Sequence, residues 1–349
     1  MTLPQRFTEG KGCFMFARKR LYAIDLGTDN TIVYEPGRGI IFNEPTCIAM
    51  HRASRKVLCV GHEAKAMTGK TPSHISVVRP LSQGAVANLS ATALLIRHLI
   101  NMLMKHRRFF GPAIAVSIPF DLSSFERDAV KEAVRQAGAR DVLLIEDPYS
   151  AAIGAGMNVF KPDGALLLDI GSGITEISLL SLGEIVASHS VRSAGWDFEQ
   201  GIIDHVNARY NGVISRCEAE RLKLELGNAA PVRGREVAVH LKNRVNALPE
   251  AMQFPLTEVS EALKPGLKKL SDFVKEFLRT LPPEFAPHIK ENGLYITGGG
   301  ALLKGLKERI EQEFSLKTVI GRAPLHEIAM GAGRIIEDRA LCRHFASGI

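Results

Sequence analysis

The sequence has little of what marks a metal centre, a disulfide framework or a membrane span. Its five cysteines are odd in number and include no Cys-x-x-Cys pair, so we predict reduced, mostly structural thiols. No apolar run approaches the roughly 18 residues that cross a bilayer. The N-terminus also lacks a secretory signal, because Gly10 and Gly12 lie among polar residues and interrupt any hydrophobic segment. We therefore expect the protein to remain in the cytoplasm.

Aromatic residues are also few, at 6%, but 46% hydrophobic and 23% charged residues are ordinary for a globular protein. A chain of 349 residues is long for one core, which predicts two packed lobes. The net charge of +7 would suit nucleic acid or an anionic membrane. The sequence has no recognition-helix, RNP-like or zinc-finger pattern, so we do not expect nucleic-acid binding. The basic residues concentrate near the N-terminus and at 105–108, which favours a membrane surface.

One sequence pattern occurs twice. A hydrophobic strand ends in Asp25, passes through a turn that contains Gly27, and resumes as a second strand. After about 140 residues Asp169 and Gly171 repeat the arrangement between 165 and 181. Strand, glycine turn and strand indicate a β-hairpin. The repeat therefore predicts two related halves.

Each half continues into alternating helices and strands. Ser123 and Glu126 have the spacing of a capping box at the start of an amphipathic helix. Residues 228–257 are polar strand-and-turn material, which we interpret as a small inserted subdomain. The predicted helices are 91–105, 123–138, 217–227 and 259–278, and the predicted strands after the hairpins include 113–118 and 293–297. This pattern predicts an α/β fold with two lobes and a cleft between them.

Two such hairpins facing each other would suit a nucleoside triphosphate. Tight glycine turns expose backbone N–H groups to phosphate oxygens, and Thr28 adds a hydroxyl donor. Asp25 and Asp169 could each hold a hydrated Mg²⁺. A third glycine turn at 298–300, where a strand is predicted to enter a helix, would let the backbone approach a flat ring or a phosphate. One Asp-Gly hairpin alone is more often an ordinary turn, whereas the three elements in this order are specific.

The motifs IDLGTDNT, IEDP, LDIGSGITE, AERLKLELG and TGGGALLKGL resemble, in order and spacing, those of the actin–Hsp70–hexokinase superfamily. Within it the chain is most similar to the MreB family of bacterial actins, from about residue 21 to residue 337. The resemblance implies an actin-like (ribonuclease H-like) duplicated fold with a central nucleotide cleft. It also implies an N-terminal extension at 1–20, subdomain IA at 21–48, 82–161 and 325–349, IB at 49–81, IIA at 162–197 and 267–324, and IIB at 198–266.

The resemblance implies roles for individual residues, with ATP and Mg²⁺ as cofactors. Asp147 and Asp169 would be catalytic, and Asp25 and Asp169 would hold Mg²⁺ through water. The remaining nucleotide contacts would come from Gly27, Thr28, Asp29 and Asn30 in the first hairpin, Gly171, Ser172 and Gly173 in the second, Gly195 near the phosphates, Glu220 and Lys223 at the ribose and adenine, and Gly298, Gly299 and Gly300 at the adenosine. Taken alone, Glu220 and Lys223 would be read as a surface ion pair at i and i+3.

Several residues depart from the family pattern. Asp147 lies where glutamate is usual, one methylene shorter, and a misplacement of about 1 Å can cost on the order of 100-fold in rate. Ile174 replaces the usual threonine, Ser172 a glycine, and Trp196 the usual aspartate. These changes predict a divergent paralogue that binds ATP and hydrolyses it slowly.

Two segments are candidates for membrane contact. Phe109 and Phe110 follow a basic run in a Gly-Pro turn, and the matching loop of the MreB family enters the inner leaflet. The alternative is that both rings fold back onto the domain. The extension at 1–20 is either a second interfacial anchor or a disordered tail, and Met15 is an alternative start to Met1.

The resemblance thus implies a filament that organises cell-wall synthesis and cell shape. Its partners would be further copies of itself, inner-membrane lipid and shape-complex proteins of the RodZ and MreC type, at the inner face of the cell membrane. The alternatives are a small-molecule kinase of the same superfamily, for which Asp147 is the sole candidate base, and a non-polymerising ATP-dependent scaffold. A chaperone is disfavoured because the sequence leaves no room for a peptide-binding domain.

Overall fold

The computed structural model describes residues 20–104, 111–230, 236–246 and 248–347. The proposed membrane residues Phe109 and Phe110, and all but the last residue of the N-terminal extension, lie outside this range. The strands are β1 Leu21–Leu26, β2 Asn30–Glu35, β3 Gly39–Pro45, β4 Ile48–His51, β5 Val57–Val60, β6 Ile75–Val78, β7 Leu81–Ser82, β8 Ala85–Val86, β9 Ala113–Ile118, β10 Asp141–Glu146, β11 Ala165–Ile170, β12 Thr175–Ser181, β13 Glu184–Val191, β14 Gly212–Val213, β15 Glu236–Asn243, β16 Pro249–Pro255, β17 Leu294–Thr297, β18 Thr318–Ile320 and β19 Ala346–Ser347. The helices are α1 Gly61–Ala66, α2 Leu89–Leu103, α3 Ser124–Gln136, α4 Asp147–Gly154, α5 Gly195–Tyr210, α6 Arg216–Leu226, α7 Leu256–Thr280, α8 Ala286–Asn292, α9 Leu306–Phe314, α10 Glu327–Glu337 and α11 Arg339–Phe345.

The two largest sheets have the same strand order. The first is β3-β2-β1-β9-β10, extended by β19, and the second is β13-β12-β11-β17-β18. In each sheet the first three strands form an antiparallel meander. The next two strands run parallel to β1 in the first sheet and to β11 in the second. The repeated order confirms the prediction of a duplicated α/β fold.

The central strands form because their sequences are apolar on both faces. All six residues of β9 and all six of β11 are buried, which is the pattern of a parallel strand covered by helices on either side. Each sheet has its own hydrophobic core, and a third core joins them. The third core includes residues of β1, β9, β10, β11, α4 and α10.

Local sequence signals set several helix ends. Ser123 Oγ accepts a hydrogen bond from the Glu126 amide at 3.3 Å, and the Ser123 amide donates to Glu126 Oε2 at 2.9 Å. The predicted capping box is therefore present, and α3 begins one residue after Ser123. Helices α4 and α10 pack together, with Arg334 Nη1 donating to the carbonyl oxygens of Ile153 and Gly154 at 2.8 and 3.0 Å. This packing fixes α4, whose first residue is Asp147.

Two three-stranded sheets extend the halves, and β7 and β8 pair as a two-stranded sheet. Strands β5-β4-β6 follow the first meander, and β14-β15-β16 form the insertion in the second half. The subdomain boundaries given above stay a prediction. None of the helices in the described ranges is long and apolar enough to cross a membrane.

Candidate functional site

Four carboxyl groups face one another between the two largest sheets. Asp25 lies on β1 and Asp169 at the matching position of β11, which is the pairing that the sequence repeat predicted. Asp147 is the first residue of α4, and Glu176 lies on β12 opposite Asp169. The four carboxyls are close enough to interact electrostatically. The other three all raise the pKa of Asp147, in addition to the effect of its burial.

This arrangement makes the ionised carboxylates unfavourable. Burial raises the pKa of both Asp25 and Asp169 to about 7, with a further contribution from Asp169 at Asp25 and from Glu327 at Asp169. Burial likewise raises the pKa of Glu176 to about 8. The pKa of Asp147 is raised well above its usual range, first by burial and then by Glu176 and Asp25. A divalent cation would remove this cost.

Two oxygens of the cluster have no partner. Asp147 Oδ1 and Asp169 Oδ1 are buried and accept no hydrogen bond from any residue in the described part of the chain. A buried acceptor left unpaired is costly. Carboxylate oxygens are the ligands that Mg²⁺ prefers, and Mg²⁺ keeps water molecules that could donate to such oxygens. The donor set therefore fits hydrated Mg²⁺.

The two hairpin turns have the same backbone geometry. A Cβ on Gly27 would lie 2.7 Å from the Asn30 carbonyl oxygen, and one on Gly171 would lie 2.9 Å from the Ile174 carbonyl oxygen. Only glycine fits so close to the backbone three residues further on. Both turns are thus compact, and compact glycine turns are the kind that can expose backbone N–H groups to a phosphate. Thr28 Oγ1 accepts from the Gly84 amide at 3.0 Å, so its hydroxyl proton is available to a ligand.

The third glycine turn lies directly against Asp169. Gly298 has φ of +80°, and a Cβ there would lie 2.2 Å from Asp169 Oδ1. The turn continues as a short 3-10 segment at Gly299–Leu302, and α9 begins at Leu306. The predicted direct entry from strand to helix is thus replaced by a tight turn, because Gly298 and Gly305 both take left-handed conformations.

Replacing Gly298 with alanine should disrupt this turn, whereas replacing Gly299 should not. The Gly298→Ala side chain would collide with Asp169 and would also require a positive φ, which costs about 1–3 kcal/mol. At Gly299 the nearest atom to an added Cβ is a flexible Leu325 methyl at 3.2 Å. Urea unfolding should show the first variant destabilised by at least about 2 kcal/mol and the second by less than about 1 kcal/mol. Equal stability of the two variants would contradict this geometry.

Two buried glutamates near the cluster were missed by the sequence analysis. Glu327 accepts hydrogen bonds from Thr297 Oγ1 at 2.6 Å and from the Tyr295 hydroxyl at 2.9 Å. It is close enough to Asp169 to raise the pKa of that carboxyl. Glu176 accepts from the Phe120 amide at 3.0 Å. The signal available for Glu176 was its place in a strand whose seven residues are otherwise uncharged.

Glu220 and Lys223 lie on α6, as predicted, but each pairs with a residue far away in the sequence. Lys223 Nζ lies 2.6 Å from Glu199 Oε1, and Glu220 Oε1 lies 2.7 Å from Lys65 Nζ on α1. Reading the two as a surface pair with each other is therefore wrong. Lys223 Nζ also approaches the carbonyl oxygen of Gly195, at 3.5 Å, which places Gly195 beside α6.

Trp196 connects the two halves of the site. Its backbone amide donates to the Ser172 carbonyl oxygen at 2.8 Å, and its Nε1 donates to Asp29 Oδ1 at 3.1 Å. Asp29 is also paired with Arg79. The guanidinium carbon of Arg216 lies 3.6 Å from the centroid of the indole ring. Trp196 thus contacts both hairpins.

The match to a known family agrees with this geometry. The family model described as MreB/Mbl protein matches residues 19–344. The chain belongs to the MreB/Mbl family. The cell shape-determining protein Mbl of Bacillus subtilis (strain 168) is 36% identical over 325 residues, covering 93% of this chain and 97% of Mbl. The cell shape-determining protein MreB of Escherichia coli (strain K12) is 38% identical over 323 residues, covering 90% of this chain and 92% of MreB.

Solved structures show the same fold. MreB5 of Spiroplasma citri, crystallised with ADP and with AMPPNP, superposes with a TM-score of 0.87 at 30% identity, covering 93% of this chain and 98% of MreB5. The MamK double helical filament matches with a TM-score of 0.75 at 18% identity, covering 91% of this chain and 98% of MamK, which shows the fold alone. The predicted family and the actin-like fold are confirmed. The individual nucleotide-binding roles stay predictions.

Proposed function

We propose that this MreB/Mbl homologue binds Mg·ATP between the two hairpins and polymerises into membrane-associated filaments that organise cell-wall synthesis and cell shape. The observation that carries the nucleotide part is the carboxyl cluster, with its two unpaired oxygens, between two glycine turns of matching geometry. The crystals of MreB5 with ADP and AMPPNP support it.

The cofactor would be held from both halves. Asp25 and Asp169 would hold hydrated Mg²⁺, which would neutralise negative charge on the phosphates. The turns at Gly27 to Asn30 and at Gly171 to Gly173 would supply backbone donors to the phosphates, with Gly195 beside them. Gly298, Gly299 and Gly300 would lie against the adenosine, and Glu220 and Lys223 of α6 would contact the ribose and adenine.

Asp147 is the residue that orients the attacking water. It stands at the start of α4, and its Oδ1 is buried without a hydrogen-bond partner in the described part of the chain. Burial, and then the neighbouring carboxyls, raise its pKa, and once ionised it can accept a proton from water. Because aspartate is shorter than glutamate, hydrolysis is slow and a filament keeps its ATP longer.

The membrane contact rests on Phe109 and Phe110. Burying each ring in lipid contributes roughly 1.5–3 kcal/mol, and each nearby Lys or Arg adds about 1 kcal/mol on anionic lipid. A single subunit would therefore bind weakly, and a filament that presents many such loops would bind tightly. The filament lies at the inner face of the cell membrane, where its partners are lipid and shape-complex proteins of the RodZ and MreC type.

Co-sedimentation with anionic liposomes tests this function. We expect the wild-type protein to pellet with liposomes in Mg·ATP, more than in Mg·ADP, and the double variant Phe109→Ser with Phe110→Ser to lose at least about 90% of that pelleting, because avidity multiplies the loss at each loop. Leu182→Ser is the control, since Leu182 is a large apolar residue at 65% exposure. Pelleting of the double variant at the wild-type level would contradict the membrane role. No pelleting in any nucleotide would favour the kinase alternative.

A further inference from the structure

Among the contacts that join the halves of the chain, two connect the first hairpin and α1 to α5 and α6 across the cleft. The first is the hydrogen bond from Trp196 Nε1 on α5 to Asp29 Oδ1 in the β1–β2 turn, at 3.1 Å. The second is the ion pair between Lys65 on α1 and Glu220 on α6, at 2.7 Å. The partners are 167 and 155 residues apart in the sequence. Any movement that separates the two halves at the nucleotide must break both contacts.

The two contacts meet at one point. Carboxylate oxygens of Asp29, Glu199 and Glu220 lie within 4.8 Å of one another. Each of the three already has a basic partner: Arg79 at Asp29, Lys223 and Arg216 at Glu199, and Lys65 at Glu220. The cluster is therefore a junction between the halves in which every carboxylate has a basic partner, and it does not indicate a second metal site.

The junction is anchored more firmly in the second half. Glu199 is 2% exposed and holds Lys223 Nζ at 2.6 Å and Arg216 Nε at 2.7 Å. Arg216 in turn stacks on the Trp196 ring, so the indole is held between the Arg216 guanidinium and its hydrogen bond to Asp29. A buried charged pair and a cation–π contact hold a side chain in one orientation.

We propose that Trp196 is a positioning residue that closes the cleft over bound nucleotide, with Lys65 as a weaker second contact, so that together they set the rate of nucleotide release. The inference rests on the proposed nucleotide site. Trp196 acts through Asp29, which lies in the turn that faces the phosphates.

The test is the release rate of a fluorescent ADP, N-methylanthraniloyl-ADP, chased with excess unlabelled ADP in a stopped-flow instrument. Trp196→Phe keeps a ring over Arg216 but removes the N–H donor, and it should release the probe about tenfold faster, since hydrogen bonds to charged groups are the stronger ones. Lys65→Gln should release it about threefold faster, and this effect should shrink at about 1 M salt because the pair is partly exposed.

Lys268→Gln is the control, because Lys268 forms an exposed i,i+4 pair with Asp272 on α7, and its release rate should match that of the wild type. Circular dichroism at the assay temperature verifies that each variant is folded. The wild type adds an independent signal, because Trp196 is the only tryptophan in the sequence and its fluorescence emission should shift when ADP binds.

Release by Trp196→Phe within twofold of the wild type would overturn the inference while leaving the nucleotide site intact. Failure of the wild type to bind the probe would instead overturn the proposed function, and the inference with it.

Discussion

Replacing Asp147 with asparagine is expected to lower the rate of ATP hydrolysis by at least about 100-fold while changing ATP affinity by less than about threefold. A positioned general base contributes typically 10²–10⁴-fold to rate, and asparagine has nearly the shape of aspartate but cannot accept a proton. The affinity should hold because Asp147 is not among the residues that we assign to the phosphates or Mg²⁺. Single-turnover hydrolysis and equilibrium titration with ATP measure the two quantities separately.

The extended variant Asp147→Glu tests the same assignment in the opposite direction. If the carboxylate is too short to reach the water well, glutamate should raise the hydrolysis rate by about tenfold or more. Hydrolysis by Asp147→Asn at the wild-type rate would contradict the assignment. Equal losses of affinity and rate would show that Asp147 acts in binding instead.

Without Mg²⁺, ionisation of Asp25 and Asp169 is expected to remove about 3 kcal/mol of stability between pH 6 and pH 8, and Glu176, whose pKa is raised to about 8, adds to the loss. The folded-state pKa values of Asp25 and Asp169 are about 7, against an ordinary value of 3.8 for an unfolded chain. The folded protein therefore binds more protons than the unfolded chain between these limits. This stability is fully present below about pH 4 and is lost as the pH rises through 7, at about 1.4 kcal/mol per pH unit for each group until its folded pKa is reached.

Saturating Mg²⁺ should restore most of this loss, because it binds the ionised carboxylates. Urea unfolding in EDTA and in Mg²⁺ at both pH values measures the effect, and the gain from Mg²⁺ should be larger at pH 8. In the double variant Asp25→Asn with Asp169→Asn, the pH dependence in EDTA should become shallower, with the part due to Glu176 remaining, and the response to Mg²⁺ should disappear. A Mg²⁺ response that is equal at pH 6 and pH 8 would contradict a site built on these two carboxyls.

The parts of the fold that the sequence predicted well are governed by local patterns. The two hairpins follow from an apolar strand, an aspartate and a glycine turn within about a dozen residues. The start of α3 follows from Ser123 and Glu126, which satisfy each other's backbone donors. Strand β9 was predicted with its observed bounds because a short, continuously apolar segment between polar ones has few alternatives in an α/β fold.

The parts that could not be predicted depend on residues distant in the sequence. Strand β19, only Ala346 and Ser347, pairs with β10 across some 200 residues, and two residues carry no strand signal of their own. The partners of Lys65 and Trp196 lie in the other half of the chain. Glu327 is buried although glutamate is normally exposed, because Tyr295 and Thr297 donate to it. No sequence period encodes such contacts.

The same limit applies to the candidate site. The motif residues Asp25, Asp169 and Gly298 were found because each stands at a strand end with glycine nearby, and the fold brings them together. The electrostatic character of the site was not foreseeable, since it arises when Glu176 and Asp147 come close to the two strand-end aspartates, and no basic residue is among the main causes of their raised pKa values in the described part of the chain. This cluster of buried carboxyls with raised pKa values is the feature of the chain that most strongly indicates a bound cation.

Electron cryo-microscopy of the full-length protein on anionic lipid vesicles with Mg·AMPPNP tests the central claim most directly. The proposed function predicts filaments on the lipid surface, with nucleotide density between the turns at Gly27 and Gly171 and a cation beside Asp25 and Asp169. Vesicles without filaments under every nucleotide condition would contradict the polymer, and filaments whose nucleotide lies elsewhere would contradict the site.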